Sequence, residues 1–423
     1  MGFIPIKQSL KPYIFISIAG LFLLLEMGLQ VSVSVITPQL MNDLSLTAAG
    51  VGFISSFFFY SYTFMQIPSG FLFDSISSKK IISVGLLLCA FGTLFFALTE
   101  SSFVASFGRL LIGFGSAFSW VAVLYIASQW FDSKHFALIA GLGMIIASLG
   151  AMGGQLPLSL LVHAVGWRSA LIILSVIGFI LAVAAFLIIE DKAAKPRLKK
   201  ESLVILKNDL LILLRSKQTW MIAIFAFAIW SPITAFASLW GVPFIQTAYN
   251  TNINTAAFAC SLIWIGVAIG SPLLGWWSEK INSRIIPCIV GSAVGVLSSI
   301  FIIYFPSSVP LLCLLLILFG IAAGGQSVSF AMIKDSTSDN LIGTGIGFIN
   351  MAVVASGLIF QAIIGLILKI SKSRVQSHNL HVSHKTFYTV SDYHLALIVI
   401  PLIFLVSLIV CIFFIKETYK KQQ

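Results

Sequence analysis

GFLFDSISSKK (70–80) and GWWSEKINSR (275–284) are the two stretches that decide how this chain reads. Pro68 stands just before the first and Pro272 just before the second. Each places an acid four residues after its glycine, Asp74 after Gly70 and Glu279 after Gly275. Basic residues follow in both, Lys79 and Lys80 in one and Lys280 and Arg284 in the other. The two stretches lie roughly half the chain apart. A half-length echo in an apolar chain predicts a duplicated membrane bundle, an architecture that points to transport.

Composition carries the same reading. Of 423 residues, 59% are hydrophobic and 9% charged, with a mean hydropathy of +1.04. A soluble domain carries about 25% charged residues. So little charge cannot cover an aqueous surface, and lipid must be the solvent for most of the chain. The formal charge is +11, yet no aromatic-interleaved basic patch or nucleic-acid motif accompanies it, so nucleic acid is not expected as a partner. The five cysteines, Cys89, Cys260, Cys288, Cys313 and Cys411, all fall in apolar runs without metal-ligand spacing. They read as small buried hydrophobes, and neither a metal site nor a cofactor is expected.

A spanning helix needs about 20 apolar residues. Twelve runs qualify: 13–36, 48–72, 81–99, 104–127, 138–161, 169–189, 219–241, 254–276, 286–305, 310–332, 342–369 and 393–415. The first lacks a small-residue cleavage pattern and reads as a spanning helix, not a signal. Charge concentrates in 190–217, which reads as a linker between halves; its middle, 203–214, has helical apolar spacing suited to a membrane surface. If both termini are cytoplasmic, nineteen basic residues fall inside and five outside, the asymmetry that orients membrane proteins. The long outer segment, 370–392, holds His378, His381 and His384, with His394 just beyond. It reads as a solvated polar loop, with metal binding or pH sensing as the alternative.

Several of these residues resemble a known family. Gly70-x-x-x-Asp74 with Lys79-Lys80 resembles the loop between helices 2 and 3 of the major facilitator superfamily, with Ser75, Ser77 and Ser78 departing from that pattern. Gly275 with Glu279-Lys280 and Arg284 resembles its second-half copy, and Arg109-x-x-x-Gly113-x-Gly115 its fourth-helix motif. A narrower likeness lies in 60–70, Gln129-Trp130-Phe131, Gly166-Trp167-Arg168, 240–244 and 345–351. These are similar to a bacterial subgroup that includes phagosomal nutrient transporters of intracellular bacteria. The resemblance implies alternating access and a small organic solute such as an amino acid, peptide, nucleoside or siderophore. It also implies that Asp74 latches one half to the start of helix 11 near Gly343 in the outward-facing state, and that Glu279 acts similarly toward helix 5.

Few ionisable groups lie inside the spans, where a charge costs about 2.5–3.5 kcal/mol on insertion scales. Glu26 and Arg109 are the deep ones. At 1.5 Å per residue the two reach a similar level, so Glu26 and Arg109 are expected to face each other. Burial favours the neutral acid and the guanidinium favours the carboxylate, and that balance would suit either a proton carrier or a static ion pair. Amide and aromatic residues are candidates for a central cavity: Gln30, Tyr60, Tyr62, Gln66, Trp120, Tyr125, Gln155, Trp230, Trp264, Gln326, Asn350 and Gln361. The amides are the better candidates, because they are costly in lipid unless they face protein or water. Helix 5 carries Gly141, Gly143, Gly150, Gly153 and Gly154. They overlap the superfamily's antiporter signature, but Gln155 stands where proline is required and Leu158 where a glycine pair begins. Close packing is the expected role of these glycines. Pro232 and Pro243 are expected to bend helix 7.

The expectation is an all-α membrane protein of twelve transmembrane helices in two pseudo-symmetric six-helix bundles, 1–189 and 218–423, joined by the cytoplasmic linker 190–217. Proton-coupled uptake by a monomer in a bacterial inner membrane is the leading function. Export of drugs or a siderophore is the alternative, and a non-transporting sensor the alternative of another class. No catalytic constellation appears, so an enzyme is not expected.

Overall fold

The computed structural model describes residues 10–191, 200–338, 341–378 and 388–419, with the side chains of 74–75, 133–134, 136–137, 200–207 and 373–378 left undescribed. Twelve of its helices are long and apolar enough to cross a membrane. They are α1 (Lys11–Val31), α2 (Ala48–Phe73), α3 (Ser78–Leu98), α4 (Ser102–Trp130), α5 (Leu138–Val165) and α6 (Trp167–Ile188), then α7 (Lys217–Ala248), α8 (Ile253–Lys280), α9 (Ile285–Tyr304), α10 (Val309–Ser336), α11 (Ile342–Lys372) and α12 (Val390–Phe413). The linker contributes a separate helix, Lys200–Arg215. Two six-helix bundles result, as expected. The described residues include no strand, in keeping with a lipid solvent that leaves no partner for an unpaired backbone.

Glycine packing sets the spacing within each bundle. A Cβ at Gly113 in α4 would collide with the Phe58 carbonyl and the Ser61 hydroxyl of α2, and one at Gly320 in α10 with the Ile263 carbonyl of α8. Small residues let helix backbones approach closely. Of the α5 glycines, Gly150 and Gly154 lie against Leu24 and Gly28 of α1, and Gly143 lies against Trp120. Gly141 and Gly153 meet nothing within 4 Å.

Two pairs of helices break regularity at corresponding places in the two bundles. α1 kinks at Ser32, between Val31 and the continuing helix Val33–Asp43. Its counterpart α7 turns π-helical over Ile233–Trp240. That stretch lies between Pro232 and Pro243, neither of which has an N–H for an i→i−4 bond. α4 is interrupted between Ser116 and Ser119, and its counterpart α10 between Ala323 and Gln326. α5 breaks between Gly153 and Leu156 and α12 between Leu397 and Val399, while their counterparts α11 and α6 run unbroken.

The bundles meet most closely at the end opposite the termini. There the Tyr388 hydroxyl accepts from the Ala48 N–H at 3.0 Å, and the Ser159 hydroxyl donates to Asn254 at 2.7 Å. α2 runs against α11, with Gly52 on the Gln361 carbonyl and Gly357 on the Phe59 ring. At the end carrying the termini, the described ion pairs stay within one bundle: Lys11 with Glu190, and Arg284 with Glu279 and Asp335.

Candidate functional site

Glu26 and Arg109 are both completely buried in the N-terminal bundle, but they do not pair. Glu26 Oε2 accepts from the Ser119 hydroxyl at 3.3 Å, and Oε1 has no hydrogen-bond partner. Arg109 donates from Nη1 to the Leu29 carbonyl at 2.9 Å and from Nη2 to the Gln30 carbonyl at 3.4 Å, with its Nε unpartnered. Its guanidinium lies 5.0 Å from the Phe58 ring centroid. The expected face-to-face pair is therefore corrected. Arg109 reaches about one helical turn beyond Glu26, roughly 5 Å along α1. The Leu29 carbonyl, beside the break of α1 at Ser32, also accepts from the Ser32 hydroxyl at 2.8 Å.

The amides fall between the bundles or at the interrupted helices. Asn350 Nδ2 donates to Gln66 Oε1 at 2.6 Å, joining α11 to α2. Gln155, in the break of α5, donates to the Ala237 carbonyl of α7 at 2.8 Å and contacts Cys260 Sγ at 3.3 Å. Gln361 donates to the Thr234 carbonyl at 2.7 Å, while its own carbonyl accepts from Trp240 Nε1 at 3.1 Å. Gln155 and Gln361 each leave Oε1 buried without a partner, and the Trp264 indole N–H is likewise unmatched. Gln30 is buried on α1 beside the kink, and Gln326 begins the second segment of α10.

The aromatic candidates divide differently. Tyr60 is corrected: it is 47% exposed on an outward stripe of α2 with Phe53, Phe57 and Phe64. Residues at i, i+4, i+7 and i+11 share one helix face, a different one from Gly52, Phe59 and Gln66, which meet α11. Trp120 packs on Gly143, and Tyr125 lies 5.2 Å from the Phe73 ring, so both contribute to packing within the N-terminal bundle.

Among the latch candidates, the side chain of Asp74 lies outside the described residues, as do His381, His384 and the side chain of His378. Gly70 and Gly275 meet nothing within 4 Å. Lys79 sits over Phe186 at 4.6 Å and Lys280 over Trp276 at 4.8 Å, while Lys80 is exposed. Glu279 is 68% exposed and lies 3.4 Å from Arg284 of its own bundle, so the contact toward α5 expected of the outward-facing state is not made in this one.

Sequence reasoning missed a second pair of acids. Asp191, just past α6, accepts from the N–H and hydroxyl of Ser78 at the start of α3, at 2.8 and 2.6 Å. Glu417, just past α12, accepts from Ser283 Oγ at 2.6 Å and from the Arg284 N–H at 2.9 Å, at the start of α9. Each bundle thus fastens its last helix to its third through an acid at a helix N-terminus, where negative charge is favoured. The signal was present as an acid shortly after the last apolar run of each half. Partial burial acts to raise the Glu417 carboxyl. Bonds from the Ser283 hydroxyl and the Arg284, Tyr419 and Ile285 N–H groups outweigh it and hold the group below its ordinary value. A lowered value in the folded state means stability that is present at neutral pH and lost as pH falls through that value. Glu417→Gln is expected to unfold at a lower temperature than the unmodified protein at pH 7. The difference should shrink as pH is lowered below about 4; a constant difference would show the carboxylate charge to be irrelevant.

Comparison with known proteins bears on this geometry. The Major Facilitator Superfamily model matches residues 16–360 and 233–423. A hexuronate transporter of Bacillus subtilis is 22% identical over 86% of this chain and 88% of its own length. An uncharacterized transporter of the same organism, YybO, is 22% identical, and a probable galactarate/D-glucarate transporter of Escherichia coli, GarP, is 27% identical. The matches span 62% and 41% of those two relatives' lengths. Among solved structures, a bacterial homologue of the human lysosomal transporter Spinster superposes with a TM-score of 0.78 at 16% identity, covering 96% of this chain and 97% of that one. That structure is inward-facing and unoccupied. The nucleoside transporter NupG, solved as a point mutant, gives 0.70 at 14% identity, covering 93% and 98%. Twelve spans in two six-helix bundles, with a family match running through both, make this chain a member of the major facilitator superfamily, an integral multi-pass membrane protein.

Proposed function

We propose that the chain is a secondary active transporter that takes up a small polar organic solute by alternating access, coupled to protons. The observation that carries this reading is the matched irregularity of α1 with α7 and of α4 with α10. Interrupted helices at corresponding positions of two repeats surround the substrate site in transporters of this architecture. Hydroxylated organic acids are the first substrates to test, since named relatives transport hexuronate or, as probable activities, galactarate and glucarate. Nucleosides, amino acids and peptides follow.

The bundles 1–189 and 218–423 rock about the midplane, with 190–217 as the tether. Contact between them at the end opposite the termini supports a state open toward the termini, which the basic residues place in the cytoplasm. A bacterial inner membrane and a monomer complete the reading. Glu26 is the proton carrier: it is completely buried on α1, and its Oε1 has no hydrogen-bond partner among the described residues. Arg109 is a positioning residue that fixes the α1 kink one turn away.

The test is uptake into proteoliposomes from labelled hexuronates, glucarate, nucleosides, amino acids and dipeptides under an inward proton gradient. Accumulation that collapses with the gradient supports the reading. Equilibration without accumulation would make the protein a facilitator, and no uptake of any solute would remove the transport reading.

A further inference from the structure

Two of the five thiols face each other across one helix pair of the C-terminal bundle. The approach to α9 meets the segment just past α12, where the Ser283 hydroxyl donates to Glu417 at 2.6 Å. The far end of α9 meets the start of α12, where the Tyr304 hydroxyl donates to the His394 carbonyl at 2.9 Å. The two helices therefore run antiparallel, and contacts between them fix the register. Gly295 lies against the Phe404 ring, and the Ser407 hydroxyl donates to the Ser292 hydroxyl at 2.9 Å. A step of three back along α9 is matched by a step of three forward along α12. One further turn in the same sense takes Ser292 to Cys288 and Ser407 to Cys411, since residues four apart lie on one helix face. The two thiols meet there, side chain to side chain. Both cysteines are completely buried.

The spacing suits a covalent bond. A disulfide needs Cα atoms about 4.4–6.8 Å apart. Serine and cysteine carry one-carbon side chains, so touching hydroxyls and touching thiols hold the two backbones near that range. The other thiols are engaged elsewhere or more open. Cys89 lies 3.5 Å from the Ile112 carbonyl and 3.6 Å from the Ser116 hydroxyl, and Cys260 lies 3.3 Å from Gln155. Cys313 is partly exposed. We propose that Cys288 and Cys411 are a modification site, a dithiol that hydrogen peroxide closes into a disulfide joining α9 to α12. One sulfur, as thiolate, attacks the peroxide; an S–O bond forms as the O–O bond breaks, leaving a sulfenic acid and one water. The second sulfur attacks the first, expels its oxygen as water and forms the S–S bond. Two thiols lose two electrons and two protons, and one peroxide is reduced to two waters. Hydrogen peroxide is uncharged and close to water in size, which suits it to a fully buried pair. This inference does not rest on the transport reading.

The experiment treats the purified full chain in detergent with hydrogen peroxide and removes the excess with catalase. The protein is then unfolded in N-ethylmaleimide and its mass measured. The reduced chain should take up five maleimides, one for each cysteine, and the oxidised chain two fewer. Dithiothreitol should restore all five. Peptide mapping should place the S–S bond between the segments holding Cys288 and Cys411. Cys288→Ser and Cys411→Ser should each abolish the loss, whereas Cys313→Ser should leave it unchanged. Where a serine variant does not fold, as judged by thermal unfolding, alanine takes its place, and mapping of the unmodified protein decides without either. Five maleimides after oxidation overturn the pair. So does a sulfenic or sulfonic acid on one cysteine alone, a bond to a different cysteine, or a cross-link between two chains.

Discussion

Glu26→Gln is expected to abolish proton-driven accumulation while leaving substrate exchange intact. One coupled proton converts a gradient of one pH unit into about tenfold accumulation, since one unit is worth about 1.4 kcal/mol. In the variant the ratio should fall to about one. Glutamine fills nearly the same volume and can keep the contact with Ser119, which lies 3.3 Å from the carboxylate, so the bundle should still fold. What it cannot do is take up and release a proton. Because Arg109 bonds the Leu29 and Gln30 carbonyls and not Glu26, the substitution leaves no orphaned guanidinium behind. Counterflow of labelled against unlabelled substrate, with no gradient imposed, separates the two outcomes. Equal loss of accumulation and counterflow would make Glu26 structural; retained accumulation would move proton coupling elsewhere.

Gly52→Val should stop turnover by another route. Even a Cβ at Gly52 would collide with the Gln361 carbonyl and crowd Ala362 of α11. That carbonyl cannot readily recede, because it accepts from the Trp240 indole at 3.1 Å. Overpacking costs about 1–3 kcal/mol. Levied on the closed end alone, it would shift the balance between the two open states roughly tenfold to a hundredfold. A cysteine introduced at Ser159, which bonds Asn254 across the same end, should then label faster with a membrane-impermeant thiol reagent. Unchanged labelling would mean that α2 and α11 do not separate during the cycle.

Most of the fold was legible because hydrophobic run length is a direct readout of membrane thickness. The second span, expected at 48–72, is Ala48–Phe73. The seventh, expected to end at 241, runs to Ala248. An α-helical segment, Gly241–Ala248, follows the π-helical stretch and continues through Pro243. The site was legible where burial is costly. Gln155 and Gln361 stood out because an amide in lipid requires a partner, but those partners are backbone carbonyls, which no side-chain pattern reveals. Glu26 and Arg109 stood out for the same reason, and the error in pairing them was about one helical turn of depth. Tyr60 was misjudged because a spanning run with apolar residues all round does not say which face looks into the bundle.

The acids past α6 and α12 have a mechanical consequence. Asp191 fastens α6 to the start of α3, and Glu417 fastens α12 to the start of α9. Within each lobe the last helix is therefore tied to the third at the end carrying the termini. A lobe braced in this way transmits torque that a row of loosely sliding rods would dissipate. In the rocking motion proposed above, a displacement of a fraction of an ångström at the substrate level would emerge at the rim as the swing of a whole lobe, with these ties setting how stiff that lever is.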